Sequence, residues 1–360
     1  MLTSAKLIRS ATFEALAGAD GLPTPAHAAL YSRLARGGAK RVITGFMSVS
    51  RDGRAAHPGQ IILDAPVAAE ALKPVAESAL RHGALIAAQL AHCGRQTRGA
   101  GRTPLGVTAA PSKYFGSTPR VLAADDIRRI ADDFAAAAFF AKTAGFSAIQ
   151  LHAAHGYLIH QFLTHAINTR DDEFAAPARF LELLFDAIRA RCGDFPIWIK
   201  ISGDRAAPEL DSLARFLADK KPALIEVSCG TMEQPFGIFR GGIPIRAAFR
   251  TNHLAAENRW LRMLHLALTA PRFKPLYNLK SALRVKELTA LPVAAVGGFR
   301  TASEIATCPV DFASACRPFI CEPDFAAKID ADSEHKSPCK NCNRCAISAD
   351  AGRPLCCRAK

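Results

Sequence analysis

No stretch of this 360-residue chain is long and apolar enough to cross a bilayer. The opening Met1-Leu2-Thr3-Ser4-Ala5-Lys6 likewise lacks the charged and apolar regions of a secretory signal. A cytoplasmic protein is the expectation. Nothing in the chain is low in complexity, no internal repeat stands out beyond an alternation of strand-like and helix-like segments, and no domain-scale linker interrupts it. No G-x-G-x-x-G unit is present, so an adenine dinucleotide held on a Rossmann-type turn is not expected. Acidic residues are in deficit, 32 Asp and Glu against 46 Lys and Arg, which leaves a net charge of +14. That charge would suit a nucleic acid, a membrane surface or an anionic ligand. The basic residues are scattered through helical segments rather than gathered in runs, however. They read as a solvated surface, and neither membrane nor nucleic acid is an expected partner.

What is present is a large apolar fraction, 49% of residues, enough to bury a sizeable core. Short β-rich runs recur at Leu7–Thr12, Arg41–Met47, Leu85–His92, Ala148–His152, Ile197–Ile201, Leu224–Ser228, Pro292–Gly297 and Phe312–Cys316. Several are continuously apolar rather than alternating, as a sheet covered on both faces requires. Helices are expected between most of them, at His27–Arg36, Pro66–Arg81, Asp125–Thr143, Ala178–Arg191, Glu209–Asp219 and Leu279–Thr289. In Asp125–Thr143, Ile127, Ile130, Phe134, Ala137 and Ala141 fall at three- and four-residue steps and give one apolar face. Eight such units without a linker point to an α/β fold, a single (β/α)8 TIM barrel. The Gly- and Arg-rich stretch Cys229–Asn258 is weakly periodic and is expected to be an irregular excursion over the barrel mouth. From Asp330 the sequence turns polar and then cysteine-rich, so we expect the barrel over residues 1–328 and a short Cys-rich tail over 329–360.

Chemistry concentrates at strand ends. The run Ile149-Gln150-Leu151-His152-Ala153-Ala154-His155-Gly156-Tyr157 begins as a buried strand and breaks into H-x-x-H-x-Y before an apolar, helix-like Leu158–Leu163. Imidazole N–H groups can grip a developing oxyanion, and a phenol can hand over a proton. Thr12, Gly45, Gln89, Lys200, Gly297, Gly298 and Arg317 close other strands, where barrels build their active sites. Lys200 sits inside the apolar run Ile197-Trp198-Ile199-Lys200-Ile201, an unusual place for a surface cation. Gly297 and Gly298 let backbone amides approach a phosphate, and Arg317 adds a forked cation one strand later. Of 11 cysteines, Cys339, Cys342, Cys345, Cys356 and Cys357 crowd into the tail. In an intracellular chain, that clustering suggests metal ligands, suited to iron–sulfur or zinc, rather than disulfides.

These strand ends resemble one family. Gln89-Leu90-Ala91-His92-Cys93-Gly94-Arg95 is similar to its Q-L-x-H-x-G-R segment, and Ala144–Leu163 to its segment carrying H-x-A-H-G-Y-L. Asn168-x-Arg170-x-Asp172-Glu173, Val296-Gly297-Gly298 and Arg317-Pro318-Phe319 match further pieces. The family is the Old Yellow Enzyme-like NADH:flavin oxidoreductases, FMN-dependent barrels, and the resemblance covers about residues 6–328. It implies that NADH or NADPH reduces FMN and that the flavin passes hydride to an electron-poor C=C bond of a small molecule. His152 and His155 would bind the substrate carbonyl and Tyr157 would donate the proton. Gln89 would meet the pyrimidine edge of the flavin, Lys200 its N1–C2=O edge and Thr12 its O4–N5 side. The phosphate would lie at Gly297, Gly298 and Arg317.

The chain departs from the family in three places. The G-G-S-x-x-N-R segment that usually follows D-E-(aromatic) is replaced by Ala175-Ala176-Pro177-Ala178-Arg179, and Gly203–Glu209 is abbreviated. Cys316 stands where glycine usually precedes the phosphate arginine. The tail spacing C-x-x-C-N-x-C, with Cys356 or Cys357 as a distant fourth, resembles the [4Fe–4S] segment of dienoyl-CoA reductase and trimethylamine dehydrogenase. It implies such a cluster, which would either exchange electrons with a redox partner protein or serve mainly to close the fold, and the spacing does not choose between Cys356 and Cys357. Two other readings stay open: an electron-transfer component with no turnover of its own, and an RNA-modifying flavin barrel of the dihydrouridine synthase type. The sequence does not specify an oligomeric state.

Overall fold

Eight short apolar runs pair side by side into one closed parallel sheet. The computed structural model describes residues 2–55, 59–97, 103–112, 118–251 and 259–359. Its barrel strands are β1 (Leu7–Arg9), β2 (Arg41–Ile43), β3 (Leu85–Ala91), β4 (Ala148–Ala153), β5 (Ile197–Ser202), β6 (Leu224–Ser228), β7 (Val293–Val296) and β8 (Phe312–Ala315). Each pairs in parallel with the next, and β8 closes onto β1 through Leu7↔Ala313, Ile8↔Ser314 and Arg9↔Ala315. The helices α1 (Pro25–Arg36), α2 (Pro66–Leu80), α3 (Ala124–Thr143), α4 (Arg179–Cys192), α5 (Ala207–Lys220), α6 (Leu279–Thr289) and α7 (Ala302–Ala306) make the crossovers. The fold is therefore the expected (β/α)8 barrel.

Local chemistry explains the helix ends. α2 opens on Pro66, whose missing N–H would be unpaired there anyway. At the start of α3, Asp126 accepts a hydrogen bond from the Ala123 N–H at 2.9 Å and favours the positive end of the helix dipole. The apolar face of α3 is buried as its spacing requires, with Ile127, Ile130, Phe134 and Ala137 at 0% exposure against the outside of the sheet. Burying a Phe134-sized side chain contributes about 1.5–3 kcal/mol, and truncating it to alanine would cost about 3–5 kcal/mol.

Inside the barrel, the two-residue strand period stacks side chains in layers. The lowest layer is apolar: Ile8, Ile43, Ala87, Ala148, Trp198, Leu224 and Ala294 form one cluster. Two residues further along the same strands the layer turns polar, with Gln89, Gln150, Lys200, Glu226 and Ser314, and Ser10 just beyond β1. A further step brings His152, Ser202 and Ser228 to the mouth. The site is thus built by register, not by loops alone.

Several boundaries differ from expectation. β1 stops at Arg9, which leaves Thr12 in the following loop. The run Arg41–Met47 is broken: β2 ends at Ile43, and a separate two-residue strand, Met47–Ser48, pairs with Leu90 and Ala91. The break is held by Glu14, which accepts the Gly45 N–H at 2.7 Å. The stretch Cys229–Asn258 is partly helical, with Pro235–Ile238 and Ile245–Thr251, and its end, residues 252–258, lies outside the described residues. A helix at Arg259–Thr269 was not expected from the sequence. α8 (Phe325–Ala331) runs across residue 328, and the tail contributes α9 (Arg344–Asp350). No helix among the described residues is long and apolar enough to cross a membrane.

Candidate active site

A cavity of about 260 Å³ opens at the C-terminal ends of the strands. Its lining brings together Thr12, Gln89, His152, His155, Tyr157 and Lys200, and also Gly297, Gly298, Cys316 and Arg317. Gly45 is not among the lining residues, and a Cβ there would meet Glu14.

His152 is the next-to-last residue of β4, and its ring lies 4.8 Å from that of Tyr157 and 4.9 Å from that of His155. Its Nδ1 accepts the Ala154 N–H at 3.4 Å, which leaves the proton on Nε2 as a donor. His155 adopts φ +62°, a left-handed conformation that costs a non-glycine residue about 1–2 kcal/mol. The turn is clamped by the Met232 N–H to His155 carbonyl bond at 3.0 Å. Gly156 follows at φ +81°, and a Cβ there would lie 2.2 Å from the Gln96 side chain. This turn sends the His155 ring to Ser228, with Nε2 2.9 Å from its hydroxyl. Burial, and then the charge of Lys200 nearby, holds His155 well below the ordinary histidine value. Burial, His155 and Lys200 do the same for His152. Both are neutral imidazoles at pH 7.

Tyr157 packs against Phe46, with ring centroids 5.5 Å apart. Burial, with Cys93 and Asp350 adding to it, pushes its phenol well above the ordinary value, so it stays protonated. The neighbouring Cys93 thiol is raised by burial and is no nucleophile.

Beneath the histidines lies a hydrogen-bonded layer. Lys200 Nζ is 3.0 Å from Glu226 Oε2 and donates to Ser10 Oγ at 2.9 Å. Glu226 also accepts from Ser10 at 2.8 Å, Ser314 at 2.5 Å and Gln150 at 3.0 Å, and Gln150 accepts from Gln89 at 2.7 Å. Burial alone would raise the Glu226 carboxyl. Lys200 and the three neutral donors outweigh it and hold the group below its ordinary value. Sequence reasoning found Lys200 and Gln89 but missed Glu226, Gln150, Ser10 and Ser314. The signal was there: a glutamate in the apolar run Leu224–Ser228 needs a buried partner as much as Lys200 does.

At the other end of the cavity, Gly297 and Gly298 have φ +128° and +89°. A Cβ on Gly297 would lie 2.5 Å from the Tyr277 ring, and one on Gly298 would lie 2.5 Å from the Leu276 nitrogen, so both positions need glycine. Arg317 donates through Nη1 to the Arg240 carbonyl at 2.8 Å and to Asn343 Oδ1 at 2.9 Å. Arg300, unremarked in the sequence although it stands two residues after Gly298, also lines the cavity, and its buried Nε has no hydrogen-bond partner. Thr12 Oγ1 lies 3.0 Å from both the Ser10 carbonyl oxygen and Cys316 Sγ, and its one proton can serve only one of them at a time. An amide edge (Gln89), an ammonium (Lys200), a glycine cradle and two arginines, one with an orphaned buried N–H, fit the polar ring edge and phosphate of FMN.

The tail folds back onto the barrel mouth. Asn343 donates to the Phe239 and Gly242 carbonyls at 2.7 and 2.9 Å, and Asn341, Cys345, Ile347 and Asp350 join the cavity lining. Behind that wall is a second cavity of about 160 Å³, lined by Cys339, Cys342, Cys345, Cys357 and also Cys321. Cys356 is exposed and does not line it. Cys321, not associated with the tail from sequence, has its Sγ 3.8 Å from that of Cys357. Cys345 and Arg317 line both cavities. Among the described residues no three His, Cys, Asp or Glu side chains are gathered tightly enough to hold a single metal ion. Cysteine thiols around one cavity are the donor type that an iron–sulfur cluster takes.

A sequence profile described as the NADH:flavin oxidoreductase / NADH oxidase family matches residues 8–212. An NADPH dehydrogenase of Listeria monocytogenes serotype 4a is 34% identical over 220 residues, covering 59% of this chain and 64% of that enzyme. An NADH oxidase of Thermoanaerobacter brockii is 27% identical over 356 residues, covering 94% of this chain but 50% of its own length. Among solved structures, a 2-naphthoyl-CoA reductase complex superposes with a TM-score of 0.83 at 20% identity, over 99% of this chain and 54% of the other. The chain thus spans about half to two thirds of these relatives.

Proposed function

The chain belongs to the NADH:flavin oxidoreductase / NADH oxidase family, and from that premise we propose that it is an FMN-dependent NAD(P)H oxidoreductase reducing an electron-poor C=C bond. The observation that carries the proposal is the convergence of two neutral histidines and a protonated tyrosine over the layer of Gln89 and Lys200 in one cavity. FMN bound there would supply hydride transfer, taking electrons from a reduced nicotinamide.

The chain's own residues do the rest. His152 Nε2–H is a donor that can polarise a substrate carbonyl and stabilise charge developing on its oxygen. His155 can add a second donor when Ser228 donates to its Nε2 and leaves the proton on Nδ1. Tyr157 is within reach of the same space and keeps its proton at neutral pH, so it acts as the general acid. Phe13, Phe46, Met232 and Phe236 give the cavity an apolar body suited to an uncharged, conjugated substrate.

We also assign residues 329–360 to a separate metal-binding segment, with Cys339, Cys342, Cys345 and Cys357 as ligands of a [4Fe–4S] cluster. The shared position of Cys345 on both cavities supports electron passage between cluster and flavin. The test is the absorption spectrum of protein purified without oxygen, with iron, sulfide and flavin assayed together, followed by turnover with NADH, NADPH and a panel of enones. FMN bound without any enone turnover would favour an electron-transfer component instead.

A further inference from the structure

Glu226 touches no part of the cavity surface, yet it governs the groups that do. It is fully buried on β6 and receives Lys200, Ser10, Ser314 and Gln150. Lys200, Ser10 and Ser314 line the cavity themselves, whereas Gln150 acts on it through Gln89.

An ionised carboxylate can only accept hydrogen bonds, so it fixes the direction of every bond around it. Ser10 gives its proton to Glu226 and therefore accepts from Lys200. Gln150 gives its amide N–H to Glu226, so its carbonyl oxygen must face Gln89. Gln89 answers with its own N–H, and its carbonyl oxygen is left as a free acceptor. The same carboxylate lies 3.0 Å from the Lys200 ammonium and offsets its charge.

We propose that Glu226 is a positioning residue that sets both the hydrogen-bond polarity and the net charge of the layer facing the flavin. It turns Gln89 to accept from a ring N–H and compensates Lys200, so the ring edge meets an ion pair rather than a lone cation. The inference rests on FMN occupying this cavity.

The probe is sulfite, which adds to oxidised flavin and leaves negative charge on the ring's pyrimidine edge. FMN-loaded protein is titrated with sulfite and followed by loss of flavin absorbance. Glu226→Gln removes the compensating charge at nearly constant volume, so sulfite should bind at least about tenfold tighter than in the parent. In the Lys200→Met background, Glu226→Gln should again tighten binding, because it removes an uncompensated carboxylate. This second comparison does not depend on the single Glu226→Gln variant folding. A purely structural role would leave sulfite affinity unchanged in both comparisons or weaken it, and either result overturns the proposal. Failure of the parent to bind FMN would instead sink the flavin reading on which it stands.

Discussion

Lowering the pH from 7 to 5.5 should destabilise the folded chain by about 4 kcal/mol through three histidines. Burial comes first among the causes that hold His152, His155 and His160 well below the ordinary value, and neighbouring cationic side chains add to it. In the unfolded chain each titrates near 6.5. The unfolded state therefore binds protons that the folded state refuses as pH falls below that value. For a depressed group, stability is complete above the unfolded pKa and is lost below it. One unit below, the loss is between about 1 and 2 kcal/mol per histidine, hence about 4 kcal/mol for three. Urea unfolding at both pH values, followed by tryptophan fluorescence, reads this as a fall in midpoint at constant slope. His160 isolates one share. Its Nδ1 accepts the Gly156 N–H at 2.7 Å, and His160→Gln can keep that acceptor while removing the titration. The variant should lose about 1–2 kcal/mol less than the parent. An equal loss in both proteins, or no loss in the parent, would refute the reasoning.

Tyr157→Phe keeps the ring packed on Phe46 and should leave phenol binding intact, while alkene-driven flavin reoxidation falls about 10²–10⁴-fold in stopped flow. Reoxidation at the parent rate would show that another group carries the proton. Arg317→Ala should weaken FMN retention on gel filtration far more than substitution of an exposed arginine such as Arg215, and Arg300→Ala should weaken it too. Full retention by both variants would remove the phosphate assignment. Cys357→Ser should lower iron content in anaerobically purified protein, whereas Cys356→Ser, at an exposed residue that does not line the second cavity, should not. One zinc and no iron in the parent would end the cluster assignment.

The barrel was legible because its strands are buried on both faces and so read as plain apolar runs. Leu224–Ser228 and Leu279–Thr289 have the expected bounds. Errors fall where side-chain or tertiary contacts decide. The run Arg41–Met47 looks continuous, yet Glu14 and Tyr31 pull the Gly45 amide out of the sheet. Spacing could not choose between adjacent Cys356 and Cys357; folding turns Cys357 toward the second cavity and leaves Cys356 exposed. Nor could it bring Cys321 there, since that residue comes from a short helix after β8, far from the tail in sequence. The helix at Arg259–Thr269 carries its own amphipathic signal but follows a weakly periodic stretch that masked its start.

The polar layer is the part whose logic the sequence half disclosed. The layer beneath it is filled by Ile8, Ile43, Trp198 and Leu224, and the same strands could have continued in that manner. Replacing a buried ion pair with apolar side chains of similar volume is often neutral or stabilising, because two charges lose their hydration. Stability therefore does not account for Lys200 and Glu226 at the barrel centre. Breaking the pair by removing one partner is another matter and typically costs about 3–5 kcal/mol. The layer thus has to be kept whole or replaced whole. What a whole layer provides is direction: one carboxylate orients Ser10, Ser314 and, through Gln150, Gln89, and it does so just below the histidines where substrate chemistry would take place. A charged residue inside an otherwise apolar strand run is best read together with the next such residue on the neighbouring strand. Here the register Lys200↔Glu226 joins them.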